Sequence, residues 1–466
     1  MRDTLRFALN GRPLAVADVP PHHTLLQWLR AQGLTATKEG CAEGDCGACT
    51  VLLGTPRGDG LDWRAVNACL VLLPQVDGRA VVTAEGLAAA DGTPHPAQTA
   101  LADAHATQCG YCSPGFAMAL AALAQRPERD DTAILDAIAG NLCRCTGYRP
   151  IVEAARSLPQ VQVAAADQDA SLAARLDADS ADPLAYRAGQ GRFLAPRTLD
   201  EALALRAEHP DAWVWAGGTD QGLRITKRLE VPGDILFLGR VAELRRLERQ
   251  AEAVVLGAGL TYAEALPAVA EVAPAFADLI RRIGAAQVRN MGTLGGNLGT
   301  ASPIGDTLPP LLALGAEIEL TSRRGRRSVV AEEFVTGYRT TVLAADDLIT
   351  AIRIPRPAAG TRLACYKIAK RVDQDISTLS AAFAVRVEHG RVAAARLAYG
   401  GVAARPLRAR GAEAALTGAP WGPEAIAAAR RAVADDINPL SDFRGSADYR
   451  RRVAANLLDR FLLEAP

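Results

Sequence analysis

Eight of the nine cysteines lie in the first third of the chain, in two groups of four. The first group consists of Cys41, Cys46, Cys49 and Cys69, with gaps of four, two and nineteen residues. A Cys-x4-Cys-x2-Cys run followed by a distant fourth cysteine is the spacing of plant-type [2Fe-2S] sites. Four cysteines can also hold zinc, although zinc sites favour pairs of Cys-x2-Cys. The spacing therefore predicts a [2Fe-2S] cluster, with a zinc site as the alternative.

The second group consists of Cys109, Cys112, Cys143 and Cys145. Its Cys-x2-Cys and Cys-x-Cys pairs also suit zinc or a thiol redox pair. Because this group directly follows the first, we expect it to hold a second [2Fe-2S] cluster. Cys365 stands apart, and we expect it to be a buried apolar side chain.

The elements around the first group predict a small β-grasp domain. Residues 5–16 alternate apolar and polar on either side of Asn10-Gly11, which is a two-residue hairpin turn signal. Thr24 and Gln27 have the spacing of a capping box ahead of an apolar helix. Glycines are interleaved with the cysteines between residues 39 and 49, where a loop must turn its N–H groups toward sulfur.

The second group lies in a predicted four-helix unit. The helices are expected over residues 97–107, 115–125, 132–141 and 151–158, with Ser113 as an N-cap and Pro114 as the first helical residue. One cysteine pair precedes the second helix, and the other lies between the last two. Helix N-termini provide N–H groups and positive potential, which favour thiolate over thiol.

Residues 39–49, 108–115 and 140–148 together resemble the paired [2Fe-2S] region of the molybdenum hydroxylases, the family of xanthine dehydrogenase and aldehyde oxidase. The resemblance implies that all eight cysteines are cluster ligands. It also implies that the helical domain carries the cluster nearer molybdenum and that the β-grasp domain carries the cluster nearer flavin.

Two glycine-rich segments follow later in the chain. Residues 213–216 read as a strand that runs into Gly217-Gly218-Thr219-Asp220, and such a loop brings N–H groups toward a phosphate. A tight turn is the alternative. The second segment, residues 287–297, favours a long ligand such as a dinucleotide. A Rossmann site is not favoured, because Tyr262 stands where the third glycine of that motif belongs.

Both segments resemble the FAD-binding domain of the same family, the PCMH type shared with vanillyl-alcohol oxidase and carbon monoxide dehydrogenase flavoproteins. The residues that this resemblance assigns to FAD are Val214, Trp215, Ala216, Gly217, Gly218, Thr219, Asp220, Gln221, Ile283, Thr293, Leu294, Gly295, Gly296, Asn297, Asp306, Ile349 and Lys367. Asp220 and Asp306 could instead be turn-capping carboxylates. The charged residues 367–376 and Tyr338-Arg339 are candidates for the NAD side or for a solvated face.

The predicted fold class is multidomain α+β. The expected parts are a β-grasp [2Fe-2S] domain over residues 1–88, a four-helix [2Fe-2S] domain over 89–160, a linker over 161–190, an α/β FAD-binding domain over 191–358 and a C-terminal α+β flavoprotein domain over 359–466.

Composition excludes some partners. The chain has 52 Lys and Arg against 52 Asp and Glu, so no net field favours nucleic acid or an anionic membrane. No signal peptide and no run of about eighteen apolar residues is present, and a cytoplasmic location is expected.

The resemblance implies an electron-transfer subunit that contributes no catalytic residue of its own. Purine hydroxylation would occur at a molybdopterin centre on a large partner subunit, and the electrons would pass through two [2Fe-2S] clusters to FAD and then to NAD. The family suggests an assembly of two copies of each subunit. The alternatives are the equivalent subunit of an aldehyde or N-heterocycle hydroxylase and a non-catalytic zinc-bound scaffold.

Overall fold

The computed structural model describes residues 3–163 and 166–464. The chain divides into two compact units, of which the first contains Met1–Arg240 and Gly284–Gly292 and the second contains Val241–Ile283 and Thr293–Pro466. Residues 1, 2, 465 and 466 of the predicted terminal domains and residues 164 and 165 of the predicted linker lie outside the described residues. Within the described part of the chain, no helix is both long enough and apolar enough to cross a membrane.

The strands are numbered here in chain order. They are β1 Leu5–Leu9, β2 Arg12–Val16, β3 Thr50–Arg57, β4 Gly60–Asn67, β5 Ala80–Val82, β6 Leu184–Arg187, β7 Arg192–Ala195, β8 Trp213–Trp215, β9 Asp234–Phe237, β10 Leu247–Arg249, β11 Ala253–Gly257, β12 Glu317–Ser322, β13 Gly325–Val330, β14 Val335–Gly337, β15 Thr340–Thr341, β16 Leu348–Pro355, β17 Thr361–Ile368, β18 Leu379–Glu388, β19 Arg391–Gly400 and β20 Leu407–Arg408.

The α-helices are numbered in the same way. They are α1 Leu25–Ala31, α2 Pro96–Asp103, α3 Ser113–Ala124, α4 Asp131–Ile138, α5 Arg149–Arg156, α6 Ala166–Asp179, α7 Leu199–Glu208, α8 Gly222–Thr226, α9 Tyr262–Val272, α10 Pro274–Arg281, α11 Ala286–Arg289, α12 Leu294–Thr300, α13 Leu308–Leu314, α14 Ala331–Phe334, α15 Arg410–Leu416, α16 Pro423–Asp436 and α17 Ala447–Glu464.

The first sheet of unit 1 has the strand order β2-β1-β5-β3-β4. Strands β1 and β2 form the expected hairpin, and Asn10 takes the positive φ of 50° that the two-residue turn requires. Helix α1 begins at the predicted capping box, in which Thr24 and Gln27 bond reciprocally. It packs on the sheet through Trp28, whose ring lies 5.4 Å from that of Phe7. The β-grasp prediction is confirmed.

Helices α2, α3, α4 and α5 form the predicted four-helix unit. Helix α3 is almost entirely buried and apolar, which makes it the centre of this unit. One detail of the prediction was wrong: the N-cap of α3 is Cys112, and Ser113 is already helical. The helix therefore begins directly at a cysteine.

The predicted linker over residues 161–190 contains regular structure, which was not predicted from the sequence. Helix α6 and strand β6 lie within it. Helix α6 buries Ala173 and Leu176, and Trp63 Nε1 donates to Asp169 Oδ2 at 3.1 Å. Two buried apolar side chains leave only a weak periodic signal in the sequence. Contacts with β4 therefore decide the conformation here more than local preference does.

The second sheet of unit 1 has the order β6-β7-β9-β8, in which β8 and β7 run parallel to β9. Its buried residues Phe193, Trp215 and Phe237 share one apolar core with the β-grasp sheet. Helix α7 begins at a capping box of Thr198 and Glu201. Strand β8 ends at the first of the two glycine-rich segments.

Unit 2 contains two larger sheets, each with its own core. The first has the order β10-β11-β16-β12-β13 and is covered by α9, α10, α12 and α13. An antiparallel hairpin joins β12 to β13. The second has the order β17-β18-β19-β20 and packs against α15, α16 and α17. The multidomain α+β class is confirmed, whereas the domain boundaries remain predictions.

Candidate metal and cofactor sites

The first cysteine group is brought together by a loop and a strand end. Cys41, Cys46 and Cys49 lie between α1 and β3, and Cys69 follows β4. Thiol contacts join Cys41 to both Cys46 and Cys69, and a further contact joins Cys69 to Cys49. Cys49 and Cys69 are buried, while Cys41 and Cys46 are partly exposed. The four sulfurs therefore form one connected set.

The loop directs backbone donors at one of these sulfurs. The N–H groups of Glu43 and Cys46 each lie 3.4 Å from Cys41 Sγ. The hydrogen bond from the Cys46 thiol, together with these donors, holds the pKa of Cys41 far below its ordinary value. A Cβ at Gly40 would lie only 2.7 Å from Cys46 Sγ, so sulfur occupies the space that a side chain would need. This arrangement fits anionic thiolates that ligate a cluster.

The second cysteine group joins two loops of the helical unit. Cys109 and Cys112 lie between α2 and α3, and Cys143 and Cys145 lie between α4 and α5. The thiols make contacts in two pairs, Cys109 with Cys145 and Cys112 with Cys143. Cys109 and Cys145 are exposed, whereas Cys143 is buried. This site therefore has one buried side and one side open to solvent.

Cys143 resembles Cys41 of the first group, because its sulfur also accepts hydrogen bonds from backbone N–H groups. Its Sγ accepts from the N–H groups of Cys145 at 3.4 Å and Thr146 at 3.5 Å, and it lies 3.2 Å from Thr146 Oγ1. Burial opposes ionisation, but the hydrogen bonds from Thr146 and Cys145 outweigh it and lower the pKa of Cys143. Burial raises the pKa of Cys112 to about 12. Each group thus contains one sulfur that accepts backbone hydrogen bonds, and these bonds favour its thiolate form.

All eight predicted ligands therefore lie in two sets, as the spacing required. Among the described residues, no group of three or more His, Cys, Asp or Glu side chains is placed to hold a single metal ion. Both sets lie in unit 1. Their residues fit two clusters held by cysteine thiolates, and the assignment of each ligand remains a prediction.

The residues predicted to bind flavin divide between the two units. Val214, Trp215, Ala216, Gly217, Gly218, Thr219, Asp220 and Gln221 lie in unit 1, and the remaining nine lie in unit 2.

In unit 1, the loop after β8 is held tightly at its base. A Cβ at Gly217 would lie 1.8 Å from the carbonyl oxygen of Met291, so only glycine allows the two backbones to approach this closely. Gln221 Nε2 donates to Val214 O at 3.0 Å and closes the loop. Trp215 anchors the strand through its Nε1, which donates to the buried Gln75 Oε1 at 3.1 Å. Gln75 was not identified from the sequence.

The same loop presents backbone donors. The N–H groups of Gly217, Gly218 and Thr219 find no acceptor among the described residues. Helix α8 begins three residues after Thr219. A strand, an open loop and a helix in this order suit an anionic group such as a phosphate, which is the chemistry expected of this segment.

In unit 2, the glycine-rich loop behaves differently. Thr293 caps α12, since its Oγ1 accepts from Gly296 N at 2.9 Å. Gly295 N donates to Ala258 O, and Asn297 N donates to Thr293 O. These N–H groups are therefore already engaged within the unit. Thr307 Oγ1 donates to Asn297 Oδ1 at 2.5 Å, which orients the Asn297 amide so that its nitrogen is a donor with no acceptor in the described part of the chain.

Asp306 and Lys367 form a buried ion pair in unit 2. Lys367 Nζ lies 2.8 Å from Asp306 Oδ2 and 2.9 Å from Arg282 O. Ser377 Oγ donates to Asp306 Oδ1 at 2.5 Å. Both oxygens of Asp306 are thus engaged by side chains, which differs from the turn-capping alternative. Ser377 was not singled out from the sequence, because it lies 71 positions from its partner.

The remaining predicted residues are apolar or lie in loops. Ile349 is buried, and Ile283 packs at the edge of the core of unit 2. In the candidate NAD segment, Arg371 N donates to Asp375 Oδ2 at 2.9 Å, and its guanidinium donates to Gln374 O at 2.6 Å. Tyr338 is exposed. These contacts are consistent with either of the two roles considered for the segment.

Four family models match successive parts of the chain. A 2Fe-2S iron-sulfur cluster binding domain matches residues 7–73, and a [2Fe-2S] binding domain matches residues 83–156. An FAD binding domain in molybdopterin dehydrogenase matches residues 187–357, and a CO dehydrogenase flavoprotein C-terminal domain matches residues 364–465. The chain therefore contains two [2Fe-2S] domains and a flavin-binding part.

Characterised relatives match almost the whole chain. Xanthine dehydrogenase of Emericella nidulans is 32% identical over 98% of this chain, and aldehyde oxidase 2 of Cavia porcellus is 30% identical over 99%. The chain spans 38% and 40% of the length of these two relatives.

Solved structures match a smaller part. Carbon monoxide dehydrogenase from Hydrogenophaga pseudoflava has a chain that is 33% identical with a TM-score of 0.56, covering 58% of this chain and 96% of that chain. Quinoline 2-oxidoreductase from Pseudomonas putida 86 has a chain that is 30% identical with a TM-score of 0.55, covering 59% of this chain and 96% of that chain.

Proposed function

Because the chain belongs to the molybdenum hydroxylase family, we propose that it is the iron-sulfur and FAD subunit of a xanthine dehydrogenase. This proposal rests on the presence of both cysteine sets and the flavin-binding part on one chain. Xanthine dehydrogenase of Emericella nidulans aligns with 98% of this chain, with these parts in the same order. The oxidoreductase class follows from the family, whereas purine as the substrate and NAD as the acceptor are proposals.

The residues of the chain have defined tasks in this proposal. Cys41, Cys46, Cys49 and Cys69 would hold one cluster, and the other four cysteines would hold the second. The open N–H groups of the loop after β8 would bind the FAD pyrophosphate. When bound, the clusters carry single electrons and the flavin pairs them for hydride transfer to NAD.

The proposal also includes a partner and a location. Hydroxylation of hypoxanthine or xanthine would take place at a molybdopterin centre on a large partner subunit, in a cytoplasmic assembly of two copies of each. The solved carbon monoxide dehydrogenase is a form that lacks the Mo-pyranopterin moiety of its molybdenum cofactor, and a molybdenum cofactor in that relative supports a partner of this kind.

A second candidate is the equivalent subunit of an aldehyde or N-heterocycle hydroxylase. It is favoured by the match to aldehyde oxidase 2, which covers 99% of the chain at 30% identity. Quinoline 2-oxidoreductase supports the heterocycle variant.

Reduction of the purified chain tests the division of labour. We expect NADH to bleach the visible spectrum of the isolated chain, since flavin and clusters would lie on it, and xanthine to have no effect until the molybdenum subunit is added. Bleaching of the isolated chain by xanthine would contradict the proposal. With the partner present, bleaching by aldehyde or quinoline but not by xanthine would favour the second candidate.

A further inference from the structure

Three segments of unit 1 that are far apart in sequence meet at a buried polar network. Gln287 Nε2 donates to Asn141 Oδ1 at 2.9 Å and lies 3.4 Å from Thr50 Oγ1. All three side chains are 1–2% exposed. Thr50 directly follows the first cysteine loop, and Asn141 lies two residues before Cys143. The network thus connects the loops of both cysteine groups with α11.

Asn141 and its neighbour hold the two cysteine loops in register. Asn141 Nδ2 donates to Gly47 O at 3.0 Å, and the N–H of Leu142 donates to Cys46 O. Adjacent residues of one loop thus bond adjacent carbonyls of the other. The second bond directly joins Cys46 of the first group to the residue that precedes Cys143. Thr50 Oγ1 also donates to Gly47 O at 2.6 Å, which fixes the carbonyl that accepts the hydrogen bond from Asn141.

The network is not explained by packing alone. Gln287 Oε1 is buried and has no hydrogen-bond partner among the described residues. A buried acceptor without a partner is unfavourable, so the Gln287 side chain makes its two hydrogen bonds through Nε2 at a cost at Oε1. Gly140 leaves the space for the amide, because a Cβ there would lie 2.1 Å from Gln287 Oε1. A polar side chain retained under these conditions points to a positioning role.

We propose that Asn141 and Gln287 are positioning residues that fix the contact between the two cysteine loops and thereby the separation of the two clusters. Gln287 orients the Asn141 amide, and Asn141 Nδ2 then donates to Gly47 O. This keeps the two loops close enough for the N–H of Leu142 to donate to Cys46 O. This inference rests on the proposed function, in which both cysteine groups hold [2Fe-2S] clusters.

The test measures the magnetic interaction between the two reduced clusters. The full chain is reduced with dithionite, and its paramagnetic spectrum is recorded at low temperature for the unmodified chain, Gln287→Met and Asn141→Leu. We expect both variants to keep their iron and both cluster signals. The splitting of each signal by the magnetic interaction with the other cluster should change. Gln287→Met is the milder change, and it decides the test if Asn141→Leu does not assemble.

Asn290→Leu is the matched control. Asn290 lies in the same segment and donates through Nδ2 to Ala65 O at 2.8 Å, but it contacts neither cysteine loop through this bond. It should keep the splitting of the unmodified chain. An unchanged splitting in Gln287→Met with full iron content would overturn the positioning role. Loss of both signals in the unmodified chain would instead overturn the proposed function.

Discussion

One sulfur in each cysteine group receives more hydrogen bonds than its neighbours. Cys41 accepts from two backbone N–H groups, and Cys143 accepts from two more and lies close to the Thr146 hydroxyl. Hydrogen bonds to cluster sulfurs tune the reduction potential. The two sites therefore differ at the level of single residues, since the set around Cys143 gains a hydroxyl and has two solvent-exposed cysteines.

Removing one ligand should affect only one cluster. We expect Cys49→Ser to abolish the paramagnetic signal of one reduced cluster and to leave the other, because the thiols around Cys49 belong to the first group. The measurement is the spectrum of the dithionite-reduced chain, together with its iron content.

Cys365→Ser is the control for this substitution. Cys365 lies in unit 2, away from both groups in sequence, and burial raises the pKa of its thiol. It should keep both signals. If Cys49→Ser also kept both, the ligand assignment would be wrong.

The sequence could predict which cysteines form each of the two sets, because a cluster imposes fixed spacing on its ligands, whereas their role as ligands remains a prediction. The partners of Asp306 could not be read in this way. Its ion pair with Lys367 and its bond from Ser377 join residues more than sixty positions apart, and only the folded chain brings them together.

Helix starts were the most predictable elements. The capping box at Thr24 forms as predicted, and Thr198 and Thr261 begin helices α7 and α9 in the same way, because a cap depends on residues three positions apart. Helix α6 was missed, since its place depends on contacts with β4 and it buries few apolar side chains. The shift from Ser113 to Cys112 at the start of α3 is a difference of one residue, which sequence patterns rarely resolve.

The strand, loop and helix after β8 make a prediction at this scale. We expect Gly217→Ala to bind FAD about tenfold more weakly, equivalent to about 1.4 kcal/mol, because the added Cβ would overlap the carbonyl of Met291 and move the loop. The measurements are the amount of flavin that the purified chain releases and the dissociation constant of FAD from that chain.

Gly233→Ala is the matched control in the same unit. A Cβ at Gly233 would meet nothing within 4 Å, so this variant should bind flavin as the unmodified chain does. Equal flavin binding by Gly217→Ala would show that the loop does not hold the cofactor as proposed.

At the scale of the whole molecule, the chain passes between its two units three times. Unit 1 contains both cysteine groups. It also includes the short segment Gly284–Gly292, to which Gln287 belongs. The sequence indicated the order of the domains through local motifs. It could not indicate that residues 284–292 would join the cysteine loops, because the bonds of Gln287 to Thr50 and Asn141 span more than 140 positions.

In the proposed function, this chain carries two iron-sulfur clusters and a flavin on one polypeptide. The most direct measurement is the metal and flavin content of the purified chain, read with its visible spectrum. We predict about four iron atoms and about one FAD per chain, with absorption from both kinds of cofactor. A colourless chain that contains zinc, without iron or flavin, would contradict the account.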